Sequence, residues 1–122
     1  MEDANVVLLL LADFDQMGQS VLAEFEEGVS HIDPSEAREF ARQVERLVAK
    51  LEQLYAVAAT LAQREGKLEN VAAIWFRMVV ICDLSTKAVS ELRERYQVAN
   101  SASHDRILDI RNECEENRAL HA

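Results

Sequence analysis

Only three glycines and one proline interrupt 122 residues, and this shortage of turn-formers is the tightest restriction on the fold. A sandwich, a barrel or a doubly wound sheet reverses direction about every ten residues and needs turn residues to match. Few reversals mean long rods. The rods announce themselves through apolar residues at alternating spacings of three and four, the period of an amphipathic helix. The class expected is all-α: an antiparallel up-down helical bundle of three long helices plus a shorter C-terminal fourth helix, built as one domain over residues 1–122.

The first helix is expected over residues 4–30, where Phe14, Met17, Val21, Phe25 and Val29 carry the stripe. Gly18 and Gly28 weaken it by about 1 kcal/mol each relative to alanine. In Asp33-Pro34-Ser35-Glu36, Asp33 reads as an N-cap, Pro34 as the first helical residue and Glu36 as the reciprocal half of a capping box. The second helix then covers 34–65. Its seam of Ala37, Phe40, Val44, Leu47, Leu51, Leu54, Ala58 and Leu61 is unbroken, and Gly66 supplies a left-handed terminator. The third helix is expected over 67–98. Asn100-Ser101-Ala102-Ser103 reads as a loop with capping hydroxyls, and the fourth helix follows over 105–120 through Ile107, Ile110 and Cys114.

From Val71 to Cys82 every residue except Arg77 is apolar, and a helix that is apolar all round must be covered all round. Either this third helix is the central one, wrapped by the other three, or three and a half helices offer it too little cover and another protein completes it. The start of the first helix shows the same excess, with Val6, Leu8 and Leu9 pointing off the main stripe. Trp75 lies on the regular seam and reads as core. A protein interface is therefore expected at Val6, Leu8, Leu9, Ala72, Phe76, Arg77, Val79 and Val80, covered by a second copy in a homodimer or by another protein. Either the Arg77 stem lies along apolar surface with the guanidinium reaching water, or the guanidinium pairs with a carboxylate inside the interface and helps to set the partner's register.

Charge is as uneven as hydrophobicity. The net charge is −9, and residues 1–33 hold eight of the 22 acidic residues with no Lys or Arg. An acidic chain of this kind is a poor direct ligand for nucleic acid or an anionic membrane, whose phosphates call for clustered cations. Asp13, Asp15, Glu24, Glu26 and Glu27 form an acidic surface that would suit a basic partner. On the second helix, Arg38, Arg42, Arg46 and Lys50 recur every four residues. Folding the first two helices into a hairpin is expected to bring Glu24 and Glu27 near Arg38 and Arg42, and Asp13 near Lys50.

No motif names a reaction. The residues three before His31, His104 and His121 are Gly28, Ser101 and Arg118, so the Glu-x-x-His pairs of carboxylate-bridged metal bundles are missing. HExxH, GxSxG and glycine-rich phosphate loops are missing too. Cys82 lies in an apolar run and Cys114 among glutamates, settings that both oppose thiolate formation. No catalytic residue, metal or cofactor is expected. Cysteine usage and the lack of a basic, cleavable leader point to a reduced, cytoplasmic setting, and the seven-residue run Val6–Ala12 is too short to span a bilayer. The function expected is a non-enzymatic protein-protein interaction module, an adaptor, small chaperone or assembly subunit. The alternative is an acidic decoy or inhibitor that covers a basic protein surface.

Overall fold

The computed structural model describes residues 2–33, 35–65, 67–96 and 102–120, without the side chains of residues 2–11 and 68. Four helices, α1 (Glu2–Ser30), α2 (Ala37–Arg64), α3 (Leu68–Tyr96) and α4 (Ala102–Leu120), account for nearly all of them, and no strand occurs among the described residues. The chain is an all-α helical bundle.

Cross-helix contacts give the directions. Ser90 meets His104, Asp83 meets Arg111 and Phe76 meets Arg118, so α3 and α4 run antiparallel in steady register. Asp15 pairs with Arg77, and Gly18 faces Ile81, so α1 and α3 run parallel. The two central helices, α2 and α3, each touch the other three helices, whereas α1 and α4 share no contact among the described residues. Each helix keeps an outward face, and on α2 and α3 it is what three neighbours leave open.

The seam of α2 is buried at Phe40, Val44, Leu47, Leu51, Leu54 and Ala58. On α3 the buried set widens to Val71, Ile74, Trp75, Met78, Val79, Ile81, Cys82, Val89 and Tyr96. Ser85 is fully enclosed, and its hydroxyl donates to the Ile81 carbonyl at 2.8 Å. A satisfied hydroxyl can occupy a core position at little cost. Near the α1–α2 turn, Phe40 stacks on Tyr96 with centroids 4.9 Å apart and tilts against Phe25 at 6.4 Å. The Tyr96 Oη sits 2.9 Å from the Val29 carbonyl and 3.1 Å from that of Ile32. The Val29 carbonyl also accepts from the Ile32 N–H at 3.2 Å, so the Tyr96 hydroxyl ties α3 to the turn that follows α1.

The helix ends differ from expectation in two places. Asp33 caps no helix: its carboxylate accepts from the Ser35 N–H and hydroxyl, both at 3.0 Å, and its carbonyl accepts from the Glu36 N–H at 2.8 Å. This local turn uses the side chain that a cap would have needed, and α2 begins at Ala37 behind Glu36, which makes no side-chain cap bond. Ala102 and Ser103 are helical rather than loop, because the helix propagates N-terminally past Asp105 to give α4 an extra turn. Pro34, Gly66, Asn100 and Ser101 lie outside the described residues.

Candidate interaction face on α3

The outward corner of α3 carries Phe76, Val80 and Leu84, exposed by 49, 39 and 48%. Their spacing of four sets them in one row along the helix. The equivalent corner of α2 presents exposed Arg42, Glu45, Glu52 and Thr60, and none of the exposed large hydrophobics belongs to α2. Two corners of like geometry therefore carry opposite chemistry. An apolar row of this kind gains free energy when something covers it.

Charged pairs fence the row on both sides. Toward α1, Arg77 Nη1 donates to Asp15 Oδ2. Toward α4, Arg111 Nε donates to Asp83 Oδ1 at 3.0 Å, and the Arg118 guanidinium stands 5.2 Å from the Phe76 ring centroid while bonding Glu115 at 2.7 Å. A cation over an aromatic face at this exposure contributes about 0.5–1 kcal/mol. It orients the Phe76 ring without hiding it.

Measured against the expected interface, Phe76 and Val80 are exposed and Ala72 is half-buried. Val79 is corrected: it is 4% exposed and belongs to the core, because its side of α3 is covered by α4. Arg77 is corrected as well, since its carboxylate partner is the chain's own Asp15 rather than a residue across an interface. The side chains of Val6, Leu8 and Leu9 lie outside the described residues. Leu84 and the 79% exposed Leu120 were not expected at the surface. Leu84 could have been found by extending the Phe76–Val80 spacing one further step.

Of the acidic surface, Asp13, Glu24, Glu26 and Glu27 are exposed, whereas Asp15 is half-buried in its pair with Arg77. Glu24 and Glu27 share a cleft with Arg46 and Lys50, not with Arg38 and Arg42. Asp13 does share a cleft with Lys50. Arg46 and Lys50 stand eight residues, about two helical turns, beyond the expected Arg38 and Arg42. Arg42 instead pairs with Glu39 on its own helix at 3.2 Å.

Neither thiol is built for attack. Burial pushes Cys82 up to about 12, with Asp83 adding to the effect. It pushes Cys114 up to about 12 as well, with the adjacent Cys82 and Glu113 adding. Both are free and fully enclosed. The ordinary thiol value is 9.0, so the unfolded chain loses these protons first. The stability they lend is whole below pH 9 and declines as pH rises toward 12. Urea titrations should therefore show a steeper loss from pH 9 to 10.5 in the native chain than in Cys82→Ala/Cys114→Ala, with parallel curves between pH 6 and 8. Equal slopes above pH 9 would refute the burial argument.

His31 is exposed, His104 Nε2 lies 3.1 Å from the Ser90 hydroxyl, and His121 is outside the described residues. No group of three or more metal-ligating side chains occurs among the described residues, and no helix there is long and apolar enough to cross a membrane. The chain matches no protein-family profile, no curated protein and no solved structure.

Proposed function

We propose that this chain is a non-enzymatic helical interaction module that pairs with a second copy through the outward corner of α3. The observation that carries the reading is the exposed row Phe76, Val80 and Leu84 beside the polar corner of α2. The row is symmetric in spacing about Val80. An antiparallel partner copy would set Phe76 against Leu84 and Val80 against itself, the self-complementary contact that a two-fold dimer needs. The flanking Arg77 and Asp83 are already paired within each copy, and the exposed Lys87 at the end of the row would sit at the rim of the contact, where its charge can stay in water. We extend the proposed contact to the start of α1, which runs parallel to α3.

The acidic α1 supplies less support as a decoy surface, because Asp15, one of its five acids, is neutralised by Arg77.

Sedimentation of the purified chain at roughly 1–200 µM should show a reversible shift from monomer to dimer with rising concentration. The shift should persist at about 0.5 M NaCl, where screening shortens electrostatic reach to a few Å but leaves apolar contacts intact. Phe76→Ser/Val80→Ser/Leu84→Ser should weaken it at least tenfold. Because the three side chains are exposed, the variant should lose only about 0.5 kcal/mol of stability per site. A chain that stays monomeric throughout the range would sink the reading.

A further inference from the structure

On the opposite side of the molecule α1 and α2 enclose two clefts, of about 470 and 660 Å³. Both are lined by Val21, Glu24 and Lys50, so they form one channel. It runs from Gly28 and Gln43 at one end to Asp13 and Val57 at the other, about 22 Å along α1 at 1.5 Å per residue. That is the length of a four-turn helix.

The channel has an ordered chemistry. Its floor is apolar, made by Val21 and Val57, both half-buried, with buried Leu47 and Leu54 beneath and the 39% exposed Met17 at its edge. The α1 rim is acidic through Asp13, Glu24 and Glu27, and the α2 rim is basic through Arg46 and Lys50. These five side chains are exposed, and no ion pair joins the two rims among the described residues. Each rim thus remains available to a third body lying between them.

We propose that this channel docks an amphipathic helix of a partner protein, one with an apolar stripe and a cationic flank. The apolar stripe would cover the floor in the manner of a helix laid in a groove. The cationic flank would face Asp13, Glu24 and Glu27. Acids outnumber bases on the rims, and α1 carries no Lys or Arg with which to cancel them, so a wholly acidic helix is repelled from this side. Arg46 and Lys50 favour acidic or neutral residues on the other flank. A helix whose two flanks differ in sign then fits in one direction only, since turning it end for end sets like charges together. The site is separate from the corner of α3, and either surface can fail without the other.

The test uses a synthetic 16-residue peptide with leucines at helical spacings, lysines on one flank and glutamates on the other, binding to the full-length chain by fluorescence anisotropy. Two control peptides accompany it: the same residues in scrambled order, and the parent with glutamate for every lysine. Binding should be saturable, should weaken between about 50 and 500 mM NaCl, and should fall at least tenfold for both controls. Glu24→Lys/Glu27→Lys should cost a similar factor, while Phe76→Ser/Val80→Ser/Leu84→Ser should leave the affinity within twofold. The proposal is overturned by no binding at millimolar peptide or by equal binding of the scrambled peptide. It is equally overturned by indifference to the Glu24/Glu27 reversal, or by loss in the α3 variant, which would place the peptide on the other surface.

Discussion

Replacing Phe40 with alanine is expected to lower the unfolding free energy by about 3–5 kcal/mol, the usual range for deleting a buried phenylalanine. Phe40 is fully enclosed, stacks on Tyr96 and leans on Phe25. Each aromatic pair contributes about 0.5–1.5 kcal/mol beyond its burial. The ring also holds Tyr96 in place while the Tyr96 hydroxyl meets the Val29 and Ile32 carbonyls at the end of α1. One truncation therefore disturbs three helices. Domains of this size are stable by about 5–15 kcal/mol, so the variant should melt some 10–20 °C lower. Phe76→Ala is the matched comparison. It removes the same ring from an exposed position and should cost no more than about 1 kcal/mol, most of it the contact with Arg118. Thermal and urea melts of the two variants decide the matter. A loss at Phe40 below about 1 kcal/mol, or equal losses at both sites, would contradict the packing described above.

That pair of phenylalanines also shows what periodicity can and cannot reveal. Phe40 stands on the unbroken seam of α2, where spacing alone identifies the buried row, and every seam residue from Phe40 to Ala58 is buried. Helix α3 is harder. Between Val71 and Cys82 almost every position is apolar, so the pattern has no polar face from which to take its bearings. Whether Val79 or Val80 faces solvent is decided by where α4 docks, through Asp83–Arg111 and Ser90–His104, and that is a tertiary fact. Val79 is covered and Val80 is not. Arg77 illustrates the same limit. A lone cation in an apolar run must find a partner, but its partner Asp15 lies 62 residues away, and only the parallel register of α1 on α3 joins them. Local turn chemistry was ambiguous for a different reason. Asp33 can serve either a helix cap or a two-residue side-chain turn, and the turn prevailed, so that α2 begins at Ala37 rather than at residue 34.

The glycines of α1 supply the second large effect, and here two residues of one type should respond with opposite signs. A Cβ at Gly18 would sit 2.8 Å from Ile81 Cγ1, with the Ile81 methyl nearer still. Ile81 is itself buried and has little room to withdraw. Gly18→Val should therefore destabilise by about 1–3 kcal/mol through overpacking, a cost that exceeds the few tenths recovered from better helix propensity. The damage lies between α1 and α3, one turn from the Asp15–Arg77 pair. Adding Ile81→Ala removes the obstructing atoms, so the double variant should be more stable than the two single losses predict by their sum, a coupling of about 0.5–3 kcal/mol. At Gly28 the nearest atoms to a new Cβ belong to the Gln43 carboxamide, with Oε1 at 2.7 Å. That group ends a flexible side chain at the half-open mouth of the α1–α2 channel. It can swing aside, so Gly28→Ala should stabilise by up to about 1 kcal/mol as alanine restricts the unfolded chain and favours the helix. Chemical denaturation of the four variants, Ile81→Ala alone included, reads both signs and the coupling directly. If Gly18→Val is neutral, or if the double variant is merely additive, then α1 does not approach α3 as closely as the Gly18–Ile81 contact requires.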